Sequence, residues 1–396
     1  MNSNRHHVCT PSILILSCTL GLPAAADVIT DWNLRAESFA FEGKLATPAA
    51  NRVMAIVQAA VNEAVRGGGR DASSAAAVAT ANCLTLPALV PSQKEAIDRA
   101  CRVALAAVPD GPAKDAGVAA GEKAAREVLA LRADDGAAAP ESYRPQTAPG
   151  VYVPTTIPAV PQWPQRKPWL LSSAAQFRPG PPPALGSDRW AADYNEVKAL
   201  GARTGSIRTE EQTAIARFWE ATFPSIYFGV VRSVANQPDR SILRNARLFA
   251  AVTQAMDDAV IAVFDAKYQY GFWRPITAIR NGDNDGNDAT ARDPSWTPFI
   301  ETPMHPEYPC AHCIIAASVG TVVNADVGND PMPTLTTASY TANGATRSWT
   351  KVEDFIQEVS NARIYDGVHY RNSTEVGMAM GRQIGALAAR KHFGAP

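Results

Sequence analysis

Residues 305–313 read HPEYPCAHC and run directly into an apolar stretch from Ile314 to Val323. This stretch predicts a buried helix that begins close to residue 311. At a helix N-terminus, free backbone N–H groups and the helix dipole favour an anion. We therefore expect His312 to lie in the first helical turn, beside a site that attracts negative charge.

Helical patterns also dominate the rest of the chain. Apolar residues recur at spacings of three and four, and alternation of polar and apolar residues is nearly absent. Capping boxes at Ser92–Glu95 and Thr209–Gln212 are typical of helix starts. The sequence thus predicts an all-α fold, a helical bundle. The predicted helices cover 47–66, 92–108, 110–132, 224–236, 241–266, 311–324, 350–363 and 371–392, and others begin near residues 188 and 209.

A proline-rich segment separates the two helical parts. Residues 133–187 hold twelve of the thirty prolines, which argues against a helix or a central strand, because proline lacks a backbone donor. The segment is either a linker between domains or an extended arm over the surface of one domain. Aromatic anchors favour the arm, so we predict a single domain over 27–396 with 133–187 as its arm. The anchors are Tyr143, Tyr152, Trp163, Trp169 and Phe177.

The first 26 residues have the pattern of a secretory signal peptide. A basic start precedes an apolar run from Ile13 to Leu20 that is too short to span a bilayer, and small residues follow up to Ala26. The alternatives are a buried N-terminal helix and a lipoprotein signal ending at Cys18. We expect cleavage after Ala26 and an exported protein, periplasmic or secreted. No later segment offers about 18 uninterrupted apolar residues, so we expect no stable membrane insertion.

Charge and composition exclude two classes of protein. With 37 basic against 38 acidic residues and a net charge of −1, the chain lacks the basic surplus of a nucleic-acid binder. With 46% apolar and 19% charged residues, it has the material for a buried core and is not a disordered chain. The expected partners are small molecules, and the oligomeric state stays open.

In chain order, Lys267 and Arg274 belong to the first of three motifs, KYQYGFWRP at residues 267–275, and residues 305–313 form the second. Gly271 and Pro275 indicate that a helix ends between them, since residues before proline avoid the helical conformation. This geometry can bring two cations onto one small anion. The alternative is a pair of solvated charges beside an aromatic patch.

Arg363 and His369 belong to a third motif, RIYDGVH, at residues 363–369. On one continuous helix they would point about 240° apart and could not share a site. Gly367 offers the break that lets them converge, and Asp366 is a candidate partner for either residue. The alternative is an ordinary helix end with a solvated arginine and a surface histidine.

The ordered set Lys-x6-Arg-Pro, Pro-x-x-His and Arg-x5-His resembles the superfamily of type 2 phosphatidic acid phosphatases and vanadium-dependent haloperoxidases. The stretches 109–112, 178–183 and 305–308 also look like those of its secreted haloperoxidase-like branch, so the resemblance extends over most of the chain. It implies a helical bundle of that superfamily's type, with its active-site motifs in 267–373.

The resemblance also implies roles for individual residues. Lys267, Arg274 and Arg363 match the cations that hold a tetrahedral oxyanion, phosphate or vanadate, and the backbone N–H of Ala311 matches a further donor. Fixed cations of this kind neutralise charge on the oxygens of a reacting centre.

Two histidines match the reacting groups of the superfamily. His369 matches the residue that attacks phosphorus in the phosphatases and ligates vanadium in the haloperoxidases. His312 matches the acid–base residue that protonates a leaving group or manages the proton of bound peroxide. Of the six histidines, His392 is expected on the surface of the final helix.

The chain departs from the superfamily pattern at three positions. Cys310 and Ala311 replace the usual Ser-Gly, which removes a hydroxyl from the oxyanion site, and Ala362 replaces the serine before the third-motif arginine. Ser373 stands where many phosphatases carry an aspartate that orients the nucleophile. We expect these departures to lower the efficiency of the phosphatase or haloperoxidase reaction.

The cysteines around His312 allow three interpretations. Cys310 and Cys313 form a disulfide, a reactive thiol pair, or a zinc site completed by His305. Export favours the disulfide, and sequence proximity favours a second disulfide, Cys83–Cys101.

The preferred hypothesis is a haloperoxidase that oxidises halide with hydrogen peroxide at a vanadate cofactor bound by His369. The first alternative is a secreted acid phosphatase without cofactor that acts through a phosphohistidine. The second is a non-catalytic protein that binds an oxyanion or a metal. The sequence does not specify the halide or the organic substrate.

Overall fold

Thirteen α-helices and one β-hairpin make up the regular structure in a computed structural model, which describes residues 27–394. The predicted signal peptide lies outside the described residues. The helices are α1 Val28–Glu42, α2 Thr47–Gly67, α3 Ser74–Leu89, α4 Lys94–Ala106, α5 Pro112–Arg132, α6 Asp188–Leu200, α7 Glu210–Trp219, α8 Ser225–Ala235, α9 Ile242–Tyr270, α10 Pro275–Arg280, α11 Ala311–Val327, α12 Val352–Tyr365 and α13 Arg371–Phe393. The strands are β1 Leu335–Ala338 and β2 Thr346–Trp349, paired antiparallel.

The all-α prediction is confirmed, with differences in local detail. The capping box at Thr209 forms as predicted, with Gln212 as its partner. The capping box predicted at Ser92 does not form, because residues 91–93 are a short 3-10 turn and Gln93 precedes α4. Helices α1, α3 and α10 and the hairpin were not predicted. Within residues 27–394, no single helix is long and apolar enough to cross a membrane, although the bent pair α3–α4 meets that criterion jointly.

Helix α9 is the centre of the fold. Twenty of its 29 residues are buried, as expected of a helix surrounded by others. It packs against α2 on one side and against α11 and α13 on the other. Its last buried turn carries Lys267, and it ends at Gly271, which adopts the left-handed conformation with φ of 56°. The predicted helix end between Gly271 and Pro275 is thereby confirmed.

A row of glycines sets the distance between α11 and α13. Gly377, Gly381 and Gly385 recur every four residues, so they lie on one face of α13. A Cβ at Gly377 would lie 2.7 Å from the carbonyl oxygen of Cys310, and a Cβ at Gly385 would lie 2.7 Å from that of Ser318. The close approach fixes α11, which begins at the second motif, against α13, which begins just after the third.

The proline-rich segment 133–187 contains no α-helix and no strand, in keeping with its composition. It is held to α9 by buried charges. Arg166 donates to Asp257 at 2.6 Å and to Asp135 at 3.0 Å. Asp258 accepts three backbone N–H groups from residues 169–171, and its burial raises its pKa to about 6. The single-domain assignment of 27–396 stays a prediction.

Both predicted disulfides are present. Cys83–Cys101 joins α3 to α4, and Cys310–Cys313 lies at the start of α11. Since the second disulfide occupies both thiols, the zinc site with His305 is wrong for this structure, and the free thiol pair is not what it shows. Among residues 27–394, no group of three or more His, Cys, Asp or Glu side chains is arranged to hold a metal ion.

Candidate active site

The three motifs converge at the N-terminal end of α11. Gly367, with φ of 76°, ends the run from α12 and turns the chain, so that Arg363 and His369 face one site as predicted. Gly367 packs against the backbone of Gly201, which leaves no room for a side chain. Arg363, His369 and His312 all line one pocket, together with Ala311 and His305.

His369 is held in one tautomer by contacts on both ring nitrogens. Its Nδ1 lies 2.6 Å from Oε1 of Glu307, and its Nε2 lies 3.3 Å from Nη1 of Arg274. Because arginine can only donate, Nε2 must be the acceptor, so the proton is on Nδ1 and points at the carboxylate. Burial, with Arg274 and Lys267 nearby, holds the pKa of His369 well below its ordinary value. Nε2 therefore carries the lone pair of the ring, and this lone pair faces Arg274.

Glu307 was not predicted as a site residue. It is fully buried, and Tyr370 also donates its backbone N–H to Oε1 at 3.2 Å. Burial raises the pKa of Glu307 to about 7, against the opposing charges of Lys267 and Arg274. Ser373 could have pointed to Glu307 from the sequence alone. Since Ser373 replaces the aspartate that usually orients the histidine, a carboxylate from another motif can accept from Nδ1 of His369 in its place. Ser373 Oγ itself lies 3.3 Å from Nδ1 of His369.

Arg274 connects the second and third motifs. Its Nε donates to the carbonyl of His305 at 2.9 Å, and its Nη1 donates to the carbonyl of Val368 at 2.8 Å. Its Nη2 lies 3.0 Å from Nδ1 of His305. Burial lowers the pKa of Arg274 to about 10. Each of its three nitrogens has a partner, so the guanidinium is fixed beside His369.

Arg363 is buried and held by Asp366. Its Nη1 donates to Asp366 at 2.6 Å and to the carbonyl of Trp219 at 2.8 Å. Of the two partners considered for Asp366, the structure selects Arg363. Burial raises the pKa of Asp366 to about 7, opposed by the charge of Arg363. Among the described residues, Nε of Arg363 is buried without a hydrogen-bond partner, so it is available to an anion in the pocket.

Lys267, like Arg274, lies outside the lining of the pocket that Arg363 faces. Its Nζ donates to the backbone carbonyls of Pro306 at 2.9 Å and Glu307 at 2.7 Å. Burial, followed by the charge of Arg274, lowers the pKa of Lys267 well below its ordinary value. Lys267 thus fixes the backbone of the second motif and adds positive charge behind the histidines.

His312 lies in the first turn of α11, as predicted. Its Nε2 is 3.1 Å from the carbonyl oxygen of Ala221. A carbonyl only accepts, so Nε2 carries the proton and Nδ1 carries the lone pair. Burial and the charge of Arg363 hold its pKa well below the ordinary value, which keeps the ring neutral and able to accept a proton. The backbone carbonyls of Ala221 and Trp219, which accept from His312 and Arg363, could not be identified from the sequence.

The arrangement fits an oxyanion bound to a histidine. Nε2 of His369 offers a lone pair, Arg363 offers an unpartnered buried N–H, and Ala311 is the first residue of α11, where the amide has no partner within the helix. No Asp or Glu lines this pocket in the part of the chain that the structure describes. Vanadate, which needs one nitrogen ligand and donors for its oxygens, suits these residues.

Part of the chain is similar to a known family model and to a known protein. Residues 247–394 match the model of the VCPO second helical-bundle domain. Vanadium chloroperoxidase of Curvularia inaequalis is 28% identical over 252 residues, which span 50% of this chain and 41% of that protein. The chain thus matches less than half of the length of this curated relative.

Solved structures share the fold over nearly the whole chain. A bacterial vanadium-dependent iodoperoxidase has a TM-score of 0.78 at 22% identity and covers 93% of this chain and 98% of its own. A holo-type bacterial vanadium-dependent chloroperoxidase has a TM-score of 0.71 at 15% identity and covers 88% of this chain and 93% of its own. At these identities the likeness describes the fold.

Proposed function

We propose that this chain is an exported vanadium-dependent haloperoxidase of the superfamily that also includes the type 2 phosphatidic acid phosphatases, because residues 247–394 match the VCPO second helical-bundle domain and the fold is that of vanadium-dependent haloperoxidases. The reaction is H2O2 + X⁻ + H⁺ → HOX + H2O, where X⁻ is a halide. The observation that carries the proposal is the fixed tautomer of His369 between Glu307 and Arg274.

Vanadate supplies the Lewis-acid centre that makes peroxide reactive toward halide. His369 supplies the nitrogen ligand through Nε2. Arg274 and Arg363, with the backbone N–H of Ala311, stabilise the negative oxygens, and Lys267 adds charge from behind. Each of these cations is buried, so its interaction with an anion is screened less than it would be in water.

His312 serves as the acid–base group. With Nε2–H bound to the Ala221 carbonyl, Nδ1 can take a proton from peroxide and return it to the departing hydroxyl, which leaves as water. The low pKa of His312 keeps its lone pair available at neutral pH. Burial beside Arg363 therefore keeps His312 neutral, so that it acts as a base and does not add a positive charge.

The same lone pair on His369 could attack phosphorus, which keeps the phosphatase as the second candidate. Ser373 departs from the phosphatase pattern, while the likeness to haloperoxidase structures extends over 93% of the chain. These observations favour the haloperoxidase.

A paired assay tests the proposal. Purified protein, incubated with orthovanadate, is expected to brominate an organic acceptor with hydrogen peroxide and bromide, and to lose this activity when vanadate is removed by chelation. Without vanadate, it is expected to release little phosphate from 4-nitrophenyl phosphate. Phosphate release that vanadate inhibits, without bromination, would establish the phosphatase instead. Inactivity in both assays would overturn both candidates.

A further inference from the structure

A deep pocket leads to the candidate site, and the residues that form its walls differ in chemistry from those at its floor. Its volume is about 260 Å³. Ala46 and Thr222 are exposed at its mouth, where Thr222 Oγ1 lies 3.0 Å from Oγ1 of Thr47. His312 and His369 lie buried at its floor. The pocket therefore leads from the surface to the reacting groups.

Between mouth and floor the walls are apolar. Val260, Val263 and Phe264 come from α9, and Ile315 comes from α11. Peroxide, halide and water gain nothing from such walls, because apolar surface is stabilised by contact with apolar atoms. A cavity of roughly 150 Å³ holds one benzene, so this pocket has room for one ring with a small substituent.

Tyr227 adds a polar feature to the walls. Its side chain is buried, and among the described residues its hydroxyl has no hydrogen-bond partner. A buried hydroxyl without a partner is unfavourable. A ligand hydroxyl would satisfy it, so the pocket combines space for a ring with a site for an O–H group.

We propose that this pocket binds a small phenol, which is the organic acceptor of the halogenation. This proposal rests on the proposed function. The ring stacks among Val260, Val263 and Phe264, and its hydroxyl bonds to Tyr227. Hypohalous acid formed at the floor meets the ring before it escapes: a carbon–halogen bond forms, the ring carbon loses its proton, and the oxygen leaves as water, so that ArH + HOX → ArX + H2O.

A comparison of two acceptors tests the proposal. With vanadate, peroxide and bromide, bromination of 4-ethylphenol is expected to saturate. Its preference over 4-hydroxybenzenesulfonate is expected to be at least tenfold above the preference that added hypobromous acid shows in free solution, since the sulfonate cannot enter apolar walls. A preference equal to that of added hypobromous acid would overturn the proposal.

Three variants localise the acceptor. Val263→Phe fills the cavity and is expected to reduce the preference for 4-ethylphenol at least fivefold. Tyr227→Phe is expected to raise the KM for 4-ethylphenol more than that for 4-ethylanisole, which lacks the hydroxyl hydrogen. Leu243→Phe, on an exposed position of the same helix α9, is the matched control and should keep the preference. A preference that survives both pocket variants would contradict the assignment.

Binding without catalysis separates this proposal from the haloperoxidase function. Calorimetry with vanadate-free protein is expected to give a Kd for 4-ethylphenol of about 1 mM or below, weakened by Val263→Phe. Absence of this binding would overturn the pocket alone. Binding in a protein that brominates neither acceptor would overturn the haloperoxidase function and the acceptor role, and leave the phenol site standing.

Discussion

His369→Ala is expected to abolish vanadate binding and to lower bromination by about 10³-fold or more. The variant removes the nitrogen that the structure presents between Glu307 and Arg274. The remaining cations can attract an anion, but they offer no lone pair to a vanadium centre. Equilibrium dialysis with orthovanadate measures the first effect, and the bromination rate measures the second.

The matched control is His392→Ala. This histidine lies at the end of α13, where Nε2 is 3.0 Å from Oε1 of Gln254, and it takes no part in the site. The control should bind vanadate like the unmodified protein, and circular dichroism should report the same helix content for both variants. Bromination that survives His369→Ala would contradict the ligand assignment.

Glu307→Gln is expected to weaken vanadate binding by about 10- to 100-fold, the range typical of groups that orient a metal ligand. Glutamine has the shape of glutamate but no charge, so Nδ1–H of His369 loses its charge-assisted acceptor. The ring is then free to adopt the other tautomer, in which Nε2 carries a proton. Equilibrium dialysis gives the affinity, and thermal unfolding shows whether the fold is retained.

Ser373→Asp in the Glu307→Gln background is expected to restore most of the lost affinity. Ser373 Oγ lies 3.3 Å from Nδ1 of His369, so an aspartate there places a carboxylate beside the same ring atom. If Ser373→Asp restores vanadate affinity, Glu307 acts by orienting His369 and not by a general effect on the structure. Glu375→Gln is the control, because Glu375 contacts only the surface residue Arg189 on the other face of α13. Unchanged affinity in Glu307→Gln would show that the carboxylate does not position His369.

The sequence predicted the elements that depend on local signals. The ends of α9 at Gly271 and of α12 near Gly367 follow from backbone requirements that a glycine or proline reveals. The start of α11 follows from an apolar run after a proline-rich entrance. Helix α3 was missed, because its alanine-rich sequence has almost no amphipathic pattern and contains Pro87.

Contacts between distant segments were beyond prediction. The carbonyls of Trp219 and Ala221 hold Arg363 and His312 from segments more than 90 positions away. Backbone carbonyls occur at every residue, so no side-chain pattern marks the two that matter. Glu307 lay within a recognised motif, yet only the fold shows that it reaches His369 across 62 positions.

A crystal structure of the protein soaked with orthovanadate will show whether His369 holds the cofactor. We expect one vanadium per chain within bonding distance of Nε2 of His369, with its oxygens facing Arg274 and Arg363, and no vanadium in crystals of His369→Ala. Vanadium bound at another place, or bound equally well in His369→Ala, would contradict this expectation.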